Sequence, residues 1–244
     1  SIYTVGGAGT ELTLSAQKPT ATANLTNSRG TISVSANEAW LTGTNDTTPP
    51  EGASVVFELY ADGEATGKTV TLDGTVDENG ETAAWTATWT KLAQTKETED
   101  GTEPIVYTVV EKTEYAKYAK DNAYVSNGGT ITNKAGELTI NKTFLVDDVK
   151  ETDYNGTVYV TVSSEALETG AEVAAEDQLA LTITEGEGTL TVTPMAFGTY
   201  YVYEVVDNKV AETMSIYTVG GAGTELTLSA QNPTATANLT NSIS

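Results

Sequence analysis

The chain contains no cysteine and no histidine. Disulfides, thiolate metal sites and nucleophile chemistry built on cysteine or histidine are therefore excluded. Basic residues are scarce, 12 against 34 acidic, for a formal net charge of -22. A nucleic-acid surface needs a basic footprint and an anionic membrane attracts one, so neither partner fits. Acidity of this kind keeps a protein soluble and says little about its fold. No apolar run approaches the roughly 18 residues of a spanning helix, and no signal peptide or sorting tail is visible. If the protein is exported, this chain is an internal fragment of it.

Threonine, valine and glycine are abundant, and short alternating segments are punctuated by Gly, Asn and Asp. That pattern reads as an all-β sandwich. The 244 residues suffice for two domains. Ser1–Ser28 recurs as Ser215–Ser242 with one change, Lys18 to Asn232, so the period from Ser1 to Ser215 is 214 residues. Near-identity over such a length marks a tandem array. The expected division is 1–28, the last strands of a preceding repeat; 29–134, a first domain; and 135–244, a second. Residues 1–28 cannot bury an apolar face alone, so a neighbouring chain or a swapped strand is expected to cover them.

Three polar residues stand at inward positions of predicted strands. In Leu138-Thr-Ile-Asn-Lys-Thr-Phe144, Lys142 shares phase with Leu138, Ile140 and Phe144. In Gly198-Thr-Tyr-Tyr-Val-Tyr-Glu204, Glu204 shares phase with Tyr200 and Val202. In Ala235-Thr-Ala-Asn-Leu-Thr-Asn241, Asn241 shares phase with Ala235, Ala237 and Leu239. Burial favours the neutral amine of a lysine, which is a nucleophile. A carboxyl at Glu204 can hydrogen-bond the carboxamide oxygen of Asn241, polarise it and shuttle protons as ammonia leaves. The product is an intramolecular Lys142–Asn241 isopeptide bond. Two readings stay open beside it: a buried Lys–Glu ion pair with an asparagine nearby, and a register slip that exposes Lys142.

Further motifs then make a family resemblance specific. Gly198-x-Tyr200-x-Val202-x-Glu204 and Tyr107-Thr-Val-Val-Glu111 resemble the glutamate strand of the collagen-adhesin B-type (CnaB) domains of Gram-positive surface proteins, also called prealbumin-like or SpaA-type pilin domains. Leu138–Phe144 resembles their lysine strand, and Leu239-Thr-Asn241 and Ile131-Thr-Asn133 resemble the asparagine end of their last strand. Val55–Gly63 resembles their second-strand hairpin. The resemblance covers essentially the whole chain. It implies two tandem inverse immunoglobulin-like β-sandwiches, a stalk or pilus role at a bacterial cell surface, wall attachment through a part of the protein outside this chain, and the self-made bond. In the first domain Glu38 stands where the family has its lysine. Glu38, Glu111 and Asn133 are therefore expected to form an unreacted cluster whose two carboxyls share a proton. Asn27 corresponds to Asn241, and its lysine would lie in the preceding repeat.

The leading function is thus a structural stalk repeat, contacting neighbouring repeats and, through residues 1–28, neighbouring chains. The alternative is an adhesin module that grips host protein or glycan, with Tyr115, Tyr118 and Tyr124 as anchors or, more blandly, as edge packing. No external catalysis and no cofactor are expected. Asp77-Glu-Asn-Gly-Glu81 looks like the start of a calcium loop but lacks the remaining ligand positions, so no metal is expected. Gly6-Gly-Ala-Gly9, repeated as Gly220-Gly-Ala-Gly223, reads as a hairpin turn.

Overall fold

A computed structural model describes residues 3–76 and 84–244. The turn read at Asp77–Glu81 lies outside the described residues. The chain is all-β: the described helical structure is one 3-10 turn, Ala175–Asp177, and none of the described helices is long and apolar enough to cross a membrane. Contacts divide it into two compact units. One comprises Ser1–Ala39, Pro50–Thr113 and Asn122–Ile131, the other Trp40–Pro49, Glu114–Asp121 and Thr132–Ser244.

In the first unit the strand Thr31–Thr42 pairs antiparallel with Thr86–Ala93, setting Val34 against Trp89 and Ala36 against Ala87. A second ladder runs in the order Val125–Ser126, Tyr107–Glu111, Val55–Ala61, Glu64–Leu72. Alternation along these strands buries Val34, Ala36, Val55, Phe57, Leu59 and Val109. The hairpin read at Val55–Gly63 is present, with Asp62 and Gly63 both left-handed at φ 50° and 85°.

The second unit is a sandwich. One sheet is centred on Gly129–Val146, which pairs antiparallel with Glu187–Met195 and parallel with Thr234–Ile243. The other holds Leu179–Ile183, Gly156–Ser163 and Gly198–Val206, with Leu226–Leu228 on the near end of the last. Leu138, Ile140, Phe144, Ala237 and Leu239 from the first sheet pack with Val158, Val160, Leu181, Ile183 and Val202 from the second. Burying such side chains contributes about 1.5–3 kcal/mol each, which is what holds the sheets together.

Several sequence expectations are corrected. The strand from Gly129 and the lysine strand are one continuous strand to Val146, so the expected boundary between residues 134 and 135 lies inside it. The chain between Thr213 and Gly220 forms two short strands, Thr213–Met214 and Tyr217–Gly220, broken at left-handed Ser215. The glycine-rich turn is not a hairpin. Tyr217–Gly220 pairs with Thr234–Ile243 in one sheet, Leu226–Leu228 pairs with Gly198–Val206 in the other, and left-handed Gly221 and Gly223 carry the chain between them. The glutamate strand is covered on both faces: Tyr203 and Val205 pack outward with Val173 and Val210.

The repeated sequence offers an internal control on packing. Leu239 is 1% exposed, and its counterpart Leu25 is 68% exposed. Leu239→Ala is expected to lower unfolding free energy by about 2–5 kcal/mol, and Leu25→Ala to change it by no more than about 0.5 kcal/mol, as read from denaturant midpoints.

Candidate functional site

The parallel pairing of Gly129–Val146 with Thr234–Ile243 sets Lys142 beside Leu239 and Phe144 beside Asn241. Lys142 and Asn241 therefore share the inward face of one sheet on neighbouring strands, diagonally placed, and the lysine stem spans the offset. Glu204 comes from the opposite sheet, on a strand held in register by Val160. All three residues are 0% exposed. Lys142 Nζ donates to Asn241 Oδ1 at 2.8 Å, Asn241 Nδ2 donates to Glu204 Oε1 at 3.0 Å, and Lys142 Nζ forms an ion pair with Glu204 Oε2. The register slip that would expose Lys142 is thereby ruled out. Glu204 accepts from the carboxamide nitrogen rather than bonding to the carboxamide oxygen, which the lysine takes instead. Burial pushes the Lys142 amine below its ordinary pKa, and the Glu204 carboxylate opposes that shift. The cluster can place an amine against a carboxamide, with a carboxylate on the nitrogen that would leave.

The corresponding residues of the first domain are each buried on the expected strands. Glu38 lies on Thr31–Thr42, Glu111 ends Tyr107–Glu111, and Asn133 lies on Gly129–Val146. The tyrosines divide. Tyr115 and Tyr118 pack edge-on against buried Trp40, at ring distances of 5.0 and 5.3 Å, and Tyr118 shares a hydrogen bond with Thr42. Tyr124 is exposed and lines a groove of about 420 Å³ with Tyr60, Thr108 and Val110.

The second unit is thus an all-β sandwich that encloses a lysine, a glutamate and an asparagine in its core. Residues 34–134 match the family model described as Cna protein B-type domain. Similar solved structures include two B repeat units of the collagen binding protein of Staphylococcus aureus, 21% identical over 90% of this chain and 52% of that one, with a TM-score of 0.32. The chain thus spans about half the length of that structure. The major pilin of Streptococcus pyogenes is 14% identical over 87% of this chain and 98% of that one, with a TM-score of 0.38. A minor pilin of Streptococcus agalactiae is 17% identical over 87% and 96%, with a TM-score of 0.30. A comparison with curated proteins finds no match.

Sequence reasoning missed the supports of the cluster. Met214 Sδ accepts a second hydrogen bond from Asn241 Nδ2, at 3.3 Å. Tyr154 stacks on Phe144 at 3.7 Å, and Tyr217 meets Phe144 edge-on at 5.2 Å while donating its hydroxyl proton to Glu151. None of these shares a strand phase with Lys142, so only tertiary structure brings them in. The hydrogen bond to Glu151 raises the Tyr217 pKa above its ordinary 10.0. A raised tyrosine pKa adds stability below the unfolded value, lost as pH rises through the folded one. Tyr217→Phe should lower the denaturation midpoint at neutral pH, and the gap from the parent should close above about pH 10.

Proposed function

We propose that this chain is a stalk repeat of a Gram-positive cell-surface adhesin or pilus-like fibre, whose second domain is closed by a Lys142–Asn241 isopeptide bond assisted by Glu204. The observation that carries the reading is the fully buried Lys142–Glu204–Asn241 cluster. As the neutral amine, Lys142 Nζ attacks Cγ of Asn241. Glu204 takes the proton that Nζ sheds and returns one to Nδ2, which departs as ammonia. One N–H and one C–N bond break, one C–N and one N–H bond form, and no oxidant or metal is consumed. Fixing the reactants in the core supplies proximity worth roughly 7–11 kcal/mol of barrier. The amide also disposes of a buried ammonium, which desolvation makes costly.

A role in bearing load follows from where the bond lies. Lys142 and Asn241 are 99 residues apart in sequence and sit on adjacent parallel strands near the two ends of the domain. A bond there would keep those strands together when the ends are pulled. Neighbouring repeats of the same protein are its partners in this reading. A second reading, a module that itself grips host protein or glycan, is favoured by exposed Tyr124 and its groove. Binding to host matrix components that Tyr124→Ala abolishes would establish it.

Intact mass tests the principal reading. The folded chain should be lighter than its sequence by one ammonia, and Lys142→Ala, Glu204→Ala and Asn241→Ala should each return to the sequence mass. Loss of one ammonia and not two is expected because Glu38 occupies the first domain's lysine position. An unshifted mass would leave Lys142 in an ion pair and remove the proposal. By analogy with a disulfide closing a loop of this length, Asn241→Ala should lower unfolding free energy by about 4–5 kcal/mol.

A further inference from the structure

Lys142, Glu204 and Asn241 are fully buried, so a nitrogen released from Asn241 has to find its way out of the core. The two groups that hold that nitrogen mark where it can go. Asn241 Nδ2 donates to Glu204 Oε1 at 3.0 Å and to Met214 Sδ at 3.3 Å. Glu204 and Met214 also line one cavity of about 270 Å³, together with Thr157, Val158, Val206 and Asp207.

The cavity lies where a sheet opens. The ladder between Gly156–Ser163 and Gly198–Val206 ends at Tyr159 against Val205, short of Thr157 and Val158. The second of these strands continues on its other side, pairing Val206 with Lys209, and left-handed Asp207 and Asn208 then turn the chain away. Met214 reaches the gap from Thr213–Met214, at the edge of the opposite sheet. It is half-buried, set between the cavity and the nitrogen of Asn241.

We infer that this cavity is the exit for ammonia, and that Met214 turns the leaving nitrogen of Asn241 toward it. The inference rests on the Lys142–Asn241 chemistry proposed above. A thioether sulfur accepts a hydrogen bond and has none to donate, and an ionised carboxylate likewise only accepts. Two acceptors on that side of the carboxamide suit its NH2 group and repel its oxygen. The oxygen is left for the donor, Lys142 Nζ, at 2.8 Å. Met214 and Glu204 together thus select the amide orientation that sets Nδ2 at the cavity. Leucine at 214 would fill similar space but leave one acceptor of the two. In the step itself Nζ bonds to Cγ, and the Cγ–Nδ2 bond breaks with its electron pair going to Nδ2. Nδ2 takes from Glu204 the proton that Nζ shed. Ammonia then passes Met214, whose unbranched side chain can move without opening a strand.

The test is the rate at which the newly made full chain becomes lighter by one ammonia, followed by intact mass after a short pulse of cell-free synthesis. Thr157 is exposed, so Thr157→Trp builds a ring over the cavity from outside the core. It should slow the loss roughly tenfold and leave the end point unchanged. Met214→Leu should slow it about as much, and Met214→Gln, which restores an acceptor, should recover most of the parent rate. A packing role alone gives the opposite order, with leucine near the parent and glutamine slowest. Denaturant midpoints identify the folded variants, and Thr157→Leu serves as a smaller plug where the indole lowers the midpoint. A parent-like rate in the folded plug variant or in Met214→Leu, or Met214→Gln slower than Met214→Leu, would overturn the inference and leave the bond in place. No ammonia loss from the parent would overturn it together with the bond.

Discussion

A lysine with no solvent exposure in the middle of an apolar core is the constraint on which the second unit turns. Its ammonium must be matched, and the two groups that match it come from different places: Asn241 from the adjacent parallel strand, Glu204 from the facing sheet. Desolvation favours the neutral amine, and the glutamate resists that shift. The same burial that makes the ammonium expensive holds the amine against a carboxamide, so the structural problem and its proposed covalent solution share one geometry. Leucine or methionine in place of Lys142 would remove the problem and the chemistry together.

The supports around this cluster are aromatic and apolar. Phe144, two residues beyond the lysine, is fixed by Tyr154 on its face and Tyr217 at its edge, and Tyr217 is anchored to Glu151. Met214 adds a soft acceptor for the nitrogen of Asn241. A locked second layer of this kind holds reacting groups in place better than loops do. The first domain also buries acidic side chains, Glu38 on Thr31–Thr42 and Glu111 at the end of Tyr107–Glu111.

The duplicated segment separates local from tertiary causes unusually cleanly. Its strand pairing, turn hydrogen bonds and left-handed glycines are the same in both copies, so they belong to the segment itself. Its outer strands and the burial of its leucines appear in only one copy, where facing strands complete the ladder. A strand exists by virtue of its partner, and an apolar side chain is core only when something covers it.

Period-2 alternation by itself determined the all-β class and the inward phase of Lys142, Glu204 and Asn241, because side-chain direction along a strand follows from the backbone alone. The near-identical repetition likewise determined the period. Alternation failed where both faces are covered, as at Tyr203 and Val205, and where one strand runs unbroken through the expected boundary between residues 134 and 135. It could not decide that Lys142 reaches the oxygen of Asn241 and Glu204 its nitrogen, nor that the glycine-rich turn crosses between sheets. Nor could it find Met214, Tyr154 and Tyr217. Those depend on which strands become neighbours across a sandwich and how a diagonal offset is spanned. Such facts arise from contacts distant in sequence, and only the folded chain brings them into being.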